Sequence, residues 1–236
     1  MKKLFIVLAV FLSVSSLYAQ QAGQFSLGGR IGGAVGFGES RNFGNAIRDR
    51  PFANWEVDSD WEVSSPEPSL NFTFALYGNL AITSRVSVQG EFNFMINHGY
   101  DLRFTPPASA GSQSTRSVDV EYHSLDIPIL LKVALVNNPV IFGIKAGPHV
   151  SIPLGRGEVY DNISERYLEE FDVATPAVFG VTGGLFLGIP AGPGRIIGDM
   201  RLVFDLNSLE ANWPGGNREF ISRRAFVFSA GYEISF

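Results

Sequence analysis

The chain of 236 residues contains no cysteine. That absence excludes a disulfide framework, a thiolate metal site and a lipid-modified cysteine. Tryptophan and methionine are scarce, 3 of each, against 20 Phe and 26 Gly. Charge is scarce too: 17% of the residues are Asp, Glu, Lys or Arg, thin for a surface that meets only water. Beyond the first twenty residues no run of 18 apolar side chains occurs, so the sequence offers no helical membrane span. Mean hydropathy is nevertheless positive. The apolar residues must therefore follow another pattern.

The start, MKKLFIVLAVFLSVSSLYAQ, has a basic pair (Lys2, Lys3), an apolar core from Leu4 to Leu12 and small residues up to Ala19. This order predicts a secretory signal peptide over 1–19, followed by a single domain over 20–236. Without Lys2 and Lys3 the 18 basic residues become 16, against 23 acidic, a net charge of −7. No basic patch for a nucleic acid is visible.

What the sequence does have is alternation with period two. In FSLGGRIGGAVGF the apolar set is Phe25, Leu27, Ile31, Val35 and Phe37, with Ser26 and Arg30 between. LNFTFALYGNLAI sets Leu70, Phe72, Phe74, Leu76, Leu80 and Ile82 against Asn71, Thr73, Tyr77 and Asn79. The pattern recurs in VSVQGEFNFMINHGYDL, LDIPILLKVAL, VIFGIKAGPHVSIPL, AVFGVTGGLFLGI and IIGDMRLVFDL, and it runs to the last residue in FVFSAGYEISF. No apolar-phase position in these eight segments is Asp, Glu, Lys or Arg; His98 is the one titratable exception. The opposite phase carries Arg30, Glu91, Asp101, Asp126, Lys132, Lys145, Asp199, Arg201, Asp205 and Glu233.

The uncharged face decides the solvent. A soluble barrel would turn its charges outward, and ten charges over eight strands would be a thin coat. The quoted segments run from 11 to 17 residues, longer than the usual soluble strand of about five or six. They suit tilted membrane strands of about 9–11 residues with extensions. In lipid the sheet must close, so the expectation is an all-β, eight-stranded antiparallel up-and-down transmembrane barrel. Connection lengths alternate: long at 38–69, 103–124, 155–176 and 207–225, short at 83–85, 136–139 and 190–195. This is the rhythm of long outer loops and short inner turns, with both termini periplasmic. One segment changes phase: Val118, Val120 and Tyr122 are even, Leu125 onward odd. A bulge near His123 would explain it. Pro128 in the same segment cannot donate to a ladder.

The stretch YHSLDIPILLKV (Tyr122, Leu125, Ile127, Pro128, Leu130, Leu131, Lys132) resembles the Y-x-x-L-x-I-P-L-L-L-K signature of the small outer-membrane β-barrel domain, the PorT-like or "porin family" proteins of Bacteroidetes and spirochaetes. Ile129 replaces the usual Leu. GIKAGPHVSIPL looks like that family's following strand. The resemblance implies an eight-stranded outer-membrane barrel and little about activity. The ending also resembles the signal read by the barrel-assembly machinery: Phe228, Tyr232, Ile234 and a final Phe236. Expected partners are therefore outer-membrane lipid, that machinery and periplasmic chaperones, with the barrel itself a monomer. No cofactor is implied.

Three constellations are candidates for function. The inward phase predicts a lumen charge network of Arg30, Glu91, Asp126, Lys132, Lys145, Asp199, Arg201, Asp205 and Glu233, with Asp101 beside it. Paired, it fills the lumen; unpaired, it would line a narrow channel for small solutes. His149 and Ser151 form H-x-S, a spacing used by some barrel enzymes that act on lipid A; here the phase turns both inward, away from that substrate. The first long connection is acidic: Glu39, Asp49, Glu56, Asp58, Asp60, Glu62 and Glu67 outnumber Arg41, Arg48 and Arg50, with Trp55 and Trp61 among them. It reads as a solvated loop, since DSD lacks the spacing and glycine of a calcium loop. GRGEVYDNISERYLEEFD reads as an acidic short helix, and its NIS fits a sequon. The expected function is a non-enzymatic outer-membrane barrel acting in envelope structure or surface contact.

Overall fold

The computed structural model describes residues 22–36, 61–63, 69–107, 115–161, 166–213 and 218–236. Every regular element among them is a strand: β1 (Phe25–Gly36), β2 (Glu62–Val63), β3 (Ser69–Ala81), β4 (Val86–Thr105), β5 (Arg116–Asn137), β6 (Ile141–Asp161), β7 (Arg166–Val173), β8 (Val178–Ala191), β9 (Gly194–Asp205), β10 (Leu209–Asn212), β11 (Arg218–Ile221) and β12 (Arg224–Ser235). Eight of them form the barrel. The order is β1–β3–β4–β5–β6–β8–β9–β12, and β12 pairs back onto β1. The closing register runs from Ser26 opposite Ser235 to Gly36 opposite Ala225. Closure leaves the ring without an edge.

The alternation sets the two faces. Ile31, Phe72, Phe92, Ile129, Leu131, Phe179 and Met200 are exposed on the outside, while Arg30, Asn71, Thr73, Glu91, Lys132 and Arg201 are buried within. Three tight connections, at 82–85, 138–140 and 192–193, lie at one end of the barrel with Phe25 and Phe236; this is the turn end, and the opposite one is the loop end.

The loop end differs from the sequence expectation. β4 runs on to Thr105 and β5 begins at Arg116, so the gap between them is far shorter than 103–124. The segment read as a short helix is the top of β6 and strand β7, because Val159, Phe171 and their neighbours alternate rather than recur at helical spacing. β7 pairs with β10, and β10 with β11, while β2 adds to β4. The strands thus continue past the ring into a folded extension with its own core: Trp61, Leu102, Phe104, Val118, Val120, Tyr122, Val159, Phe171 and Trp213 are all buried there. Trp61 belongs to this core rather than to a solvated loop. Trp55, Glu39, Asp49, Glu56, Asp58, Asp60, Glu67, the sequon, the signal segment and the His98 side chain lie outside the described residues.

The irregularity expected near His123 is present, but in the strands on either side of β5: the β5–β6 register shifts between Glu121 and His123, and the β4–β5 register shifts between Met95 and His98, opposite Ser124 and Tyr122. β5 keeps a single phase, with Val118, Val120, Tyr122, Ser124, Asp126, Pro128, Leu130 and Lys132 all inward. What changes along it is the surroundings. At the loop end the interior is apolar and the exterior polar, so the hydropathy pattern inverts while the strand does not turn over. The slip of one residue sits in β4, between Met95 and His98. It moves the inward phase from Met95 to Leu102 and Phe104, and it turns Asp101 outward, opposite Asp119. At Pro128 the β4–β5 pairing lapses between Gly90–Ile129 and Asn93–Asp126, which accommodates a residue with no N–H to give.

Candidate functional site

All nine residues of the anticipated charge network lie inside the barrel. They form three levels. At the middle, Glu91 on β4 and Asp199 on β9 are held by three cations. Arg30 reaches both, Nη2 to Glu91 Oε2 at 2.7 Å and Nη1 to Asp199 Oδ2 at 2.6 Å. Arg201 does the same, Nη1 to Glu91 at 2.8 Å and Nε to Asp199 at 2.9 Å. Lys145 donates to Asp199 and stands 3.9 Å from Glu91. Gln89 donates to the remaining side of Glu91. Each carboxylate is thereby met by more than one charge-assisted bond, which is what makes burial of ions tolerable.

Nearer the loop end, Arg223 bridges two carboxylates. Its Nη1 donates to Asp126 at 3.0 and 3.1 Å, its Nη2 to Asp205 at 3.0 Å, and Nη1 also to Ser124 at 3.3 Å. His149 Nε2 is 3.0 Å from Asp205 Oδ1 and 3.3 Å from Arg223 Nη2. Its seat depends on Gly180: a Cβ there would lie 2.3 Å from the imidazole and 2.3 Å from the Phe204 carbonyl. Gly180 stands between His149 and Asp205 in the sheet, and its missing side chain lets the two meet. Ser151 is buried opposite Asp126. Among the described residues no hydrogen bond joins it to His149.

Nearest the turns, Arg195 lies 3.6 Å from Glu233. The Tyr77 ring covers Gly28, where a Cβ would come within 2.3 Å of it, and Arg30 stands 5.0 Å above that ring. Lys132 places its ammonium 4.5 Å over the Phe186 ring, a cation–π contact.

Arg195 and Arg223 complete the network and were absent from the sequence reading, having been assigned to connections. Extending the inward phase finds both: Arg195 lies one step before Ile197, Asp199 and Arg201, and Arg223 lies two steps before Val227, beyond Ala225. Asp101 is not a lumen residue. Burial and a hydrogen bond to Asp119, whose charge adds to the effect, push its carboxyl up to about 7. Burial and the neighbouring Glu158 raise Glu121 on the same outer face. Exposed Arg156 pairs with Glu170 at 2.8 Å and Asp172 at 3.0 Å beside them.

The family model described as "Outer membrane protein beta-barrel domain" matches residues 18–211. No curated protein matches the chain. Among solved structures it is similar to the outer membrane protein OprG from Pseudomonas aeruginosa, with 9% identity and a TM-score of 0.46 over 92% of this chain and 98% of that one. It is similar to Neisserial surface protein A, with 10% identity and a TM-score of 0.48 over 90% and 97%. It is also similar to the attachment invasion locus protein Ail of Yersinia pestis, with 11% identity and a TM-score of 0.42 over 91% and 100%.

Proposed function

Because the chain belongs to the outer membrane protein beta-barrel domain family, we propose that it is a closed, non-enzymatic barrel that presents its loop-end extension for contact at the cell surface. The observation that carries this reading is the pair formed by a lumen crossed by bonded charges and an extension folded around its own aromatic core. A barrel of eight strands is just wide enough for side chains to fill it. Here Arg30, Arg201 and Arg223 span it from wall to wall. Such a barrel spends chain on an outward platform rather than on a pore. In this reading the loop end is extracellular, both termini are periplasmic and the barrel is a monomer in outer-membrane lipid. It is delivered by periplasmic chaperones and recognised by the barrel-assembly machinery through Phe228, Tyr232, Ile234 and Phe236. The signature from Tyr122 to Lys132 supports a place among the PorT-like members. The inward, Asp205-bound His149 speaks against lipid chemistry at His149 and Ser151, since lipid lies on the other face.

Single-channel recording of the purified barrel in planar bilayers tests the closed lumen. Silent traces are expected, and steady open conductance would instead establish the narrow channel. Protease shaving of intact cells tests the orientation: cleavage confined to the connections of the loop end is expected.

A further inference from the structure

On the outer wall of β9 and β12 two small residues lie side by side. Ala230 pairs with Gly198, and the same row continues to Ile31 on β1 and Leu187 on β8. Ile31 and Leu187 are large and exposed, and so are Phe228 and Met200 in the next outward row toward the loop end. Between these side chains the wall is recessed, over about 560 Å³. The recess opens away from the lumen, since Ile31, Met200 and Phe228 belong to the outward phase, and its lining is apolar.

Gly198 has no internal reason to be glycine. Inside a strand glycine weakens the sheet, and it marks a bulge, a tight bend or the close approach of something else. The registers of β9 with β8 and with β12 run past Gly198 without a shift. Its φ is not positive. A Cβ there would meet nothing nearer than the Leu187 Cβ, at 4.0 Å. The floor of the recess is therefore not packed against the protein's own chain, and an occupant from outside is what remains.

Depth and charge say what that occupant is. Arg224 stands six residues before Ala230 on β12, exposed on the same outer face. It is the one outward charge on β9 or β12, and among the described residues it has no ion-pair partner. Six residues of strand span about 20 Å. At a tilt of about 45° that is about 14 Å of depth, half of a hydrocarbon core of about 30 Å. The recess thus lies near the bilayer midplane, with an unpaired guanidinium at the loop-end margin of its own strand. At the turn-end margin the link from β8 to β9, residues 191–194, carries no charge. A chain end at the midplane and an anion at the margin belong to one kind of molecule.

We propose that the recess seats one acyl chain of a phosphate-bearing lipid from the loop-end leaflet, with Arg224 holding the headgroup. A guanidinium meets phosphate through paired, charge-assisted hydrogen bonds. The chain gains the close dispersion contacts that the missing side chain of Gly198 allows. The site is on the outer face, so it depends on neither the closed lumen nor the loop-end platform.

Native mass spectrometry of the full barrel, moved from vesicles of dioleoylphosphatidylglycerol into mild detergent, reads the site. The wild type is expected to retain a single lipid. Gly198→Leu, whose side chain enters the recess, should reduce retention severalfold, and Arg224→Gln should do the same. Ala230→Leu fills the recess from the neighbouring strand and keeps the test open where Gly198→Leu does not insert. Dioleoylglycerol has the chains without the phosphate, so its retention should be weak and indifferent to Arg224→Gln. Equal retention by the wild type and the filled variants would overturn the seat, and so would equal retention of the two lipids. Wild-type dimers that Gly198→Leu dissolves would also overturn it, by giving the recess to a second copy of the chain.

Discussion

Arg223 is the side chain on which most of the loop-side level depends. It is buried and satisfies Asp126 and Asp205 together. Arg223→Met would leave two carboxylates without their cation, and removing one partner of a buried pair costs about 3–5 kcal/mol. Urea unfolding of the barrel in lipid vesicles should register that loss. The double variant Asp126→Asn with Asp205→Asn in the Arg223→Met background should recover most of it, since neutral amides tolerate the site better than orphaned charges. At the same scale, Asp101 supplies a pH dependence. Its carboxyl rises from 3.8 to about 7 in the folded protein, so the folded state binds the proton more tightly than the unfolded one. Stability from this group is therefore complete below about 3.8 and is lost as pH rises through about 7. Amide exchange at the β4–β5 tip should quicken over that interval, and Asp119→Asn should flatten the response.

At the scale of elements, the loop-end extension is a second packing problem solved on the same strands. β4, β5 and β6 leave the apolar belt and continue as the frame on which β2, β7, β10 and β11 assemble. Phe171 packs against Trp213 with ring centroids 4.9 Å apart and covers Gly157. Phe171→Ala should cost the extension about 3–5 kcal/mol. Limited proteolysis should then cut between β6 and β10 while the barrel still enters the membrane and keeps its heat-modifiable mobility. This region is also where the sequence was least legible. Within the belt, an uncharged face against a charged one identified each strand and its inward residues, because lipid outside and ions inside give opposite polarities. Past Tyr122 the interior becomes apolar and the exterior acidic, so the same alternation reads as a change of phase or as loop. The slip between Met95 and His98 leaves no mark in hydropathy, and it reassigned Asp101. Arg195 and Arg223 escaped because they stand one and two inward steps beyond the alternating runs.

At the scale of the whole molecule, the part β12 plays in the closed sheet can be measured apart from the assembly role proposed for its residues. In the closed ring Ile234 and Phe236 face outward and Glu233 inward, and the Phe236 N–H donates to the Phe25 carbonyl at 2.8 Å. Deleting Phe236 removes that bond at the margin of a sheet held by many others, so unfolding of barrel already inserted should change by no more than about 1.5 kcal/mol. If the terminal aromatic is also read by the assembly machinery, the amount of barrel reaching the outer membrane in cells should fall severalfold. Equal yields of truncated and intact chain would show that the residue serves the sheet alone.

The pairing of β1 with β12 carries one more consequence, and it concerns time. Ser26 and Ser235 share a hydrogen bond at 3.0 Å across 209 positions of sequence, so the first strand made receives its second neighbour only from the last. Until then β1 holds one row of amides and carbonyls open, and so does whichever strand is newest. No shorter portion of the chain can hide both rows, and hydrocarbon tolerates neither. Commitment to the bilayer is thus deferred to β12, the strand that seals the ring.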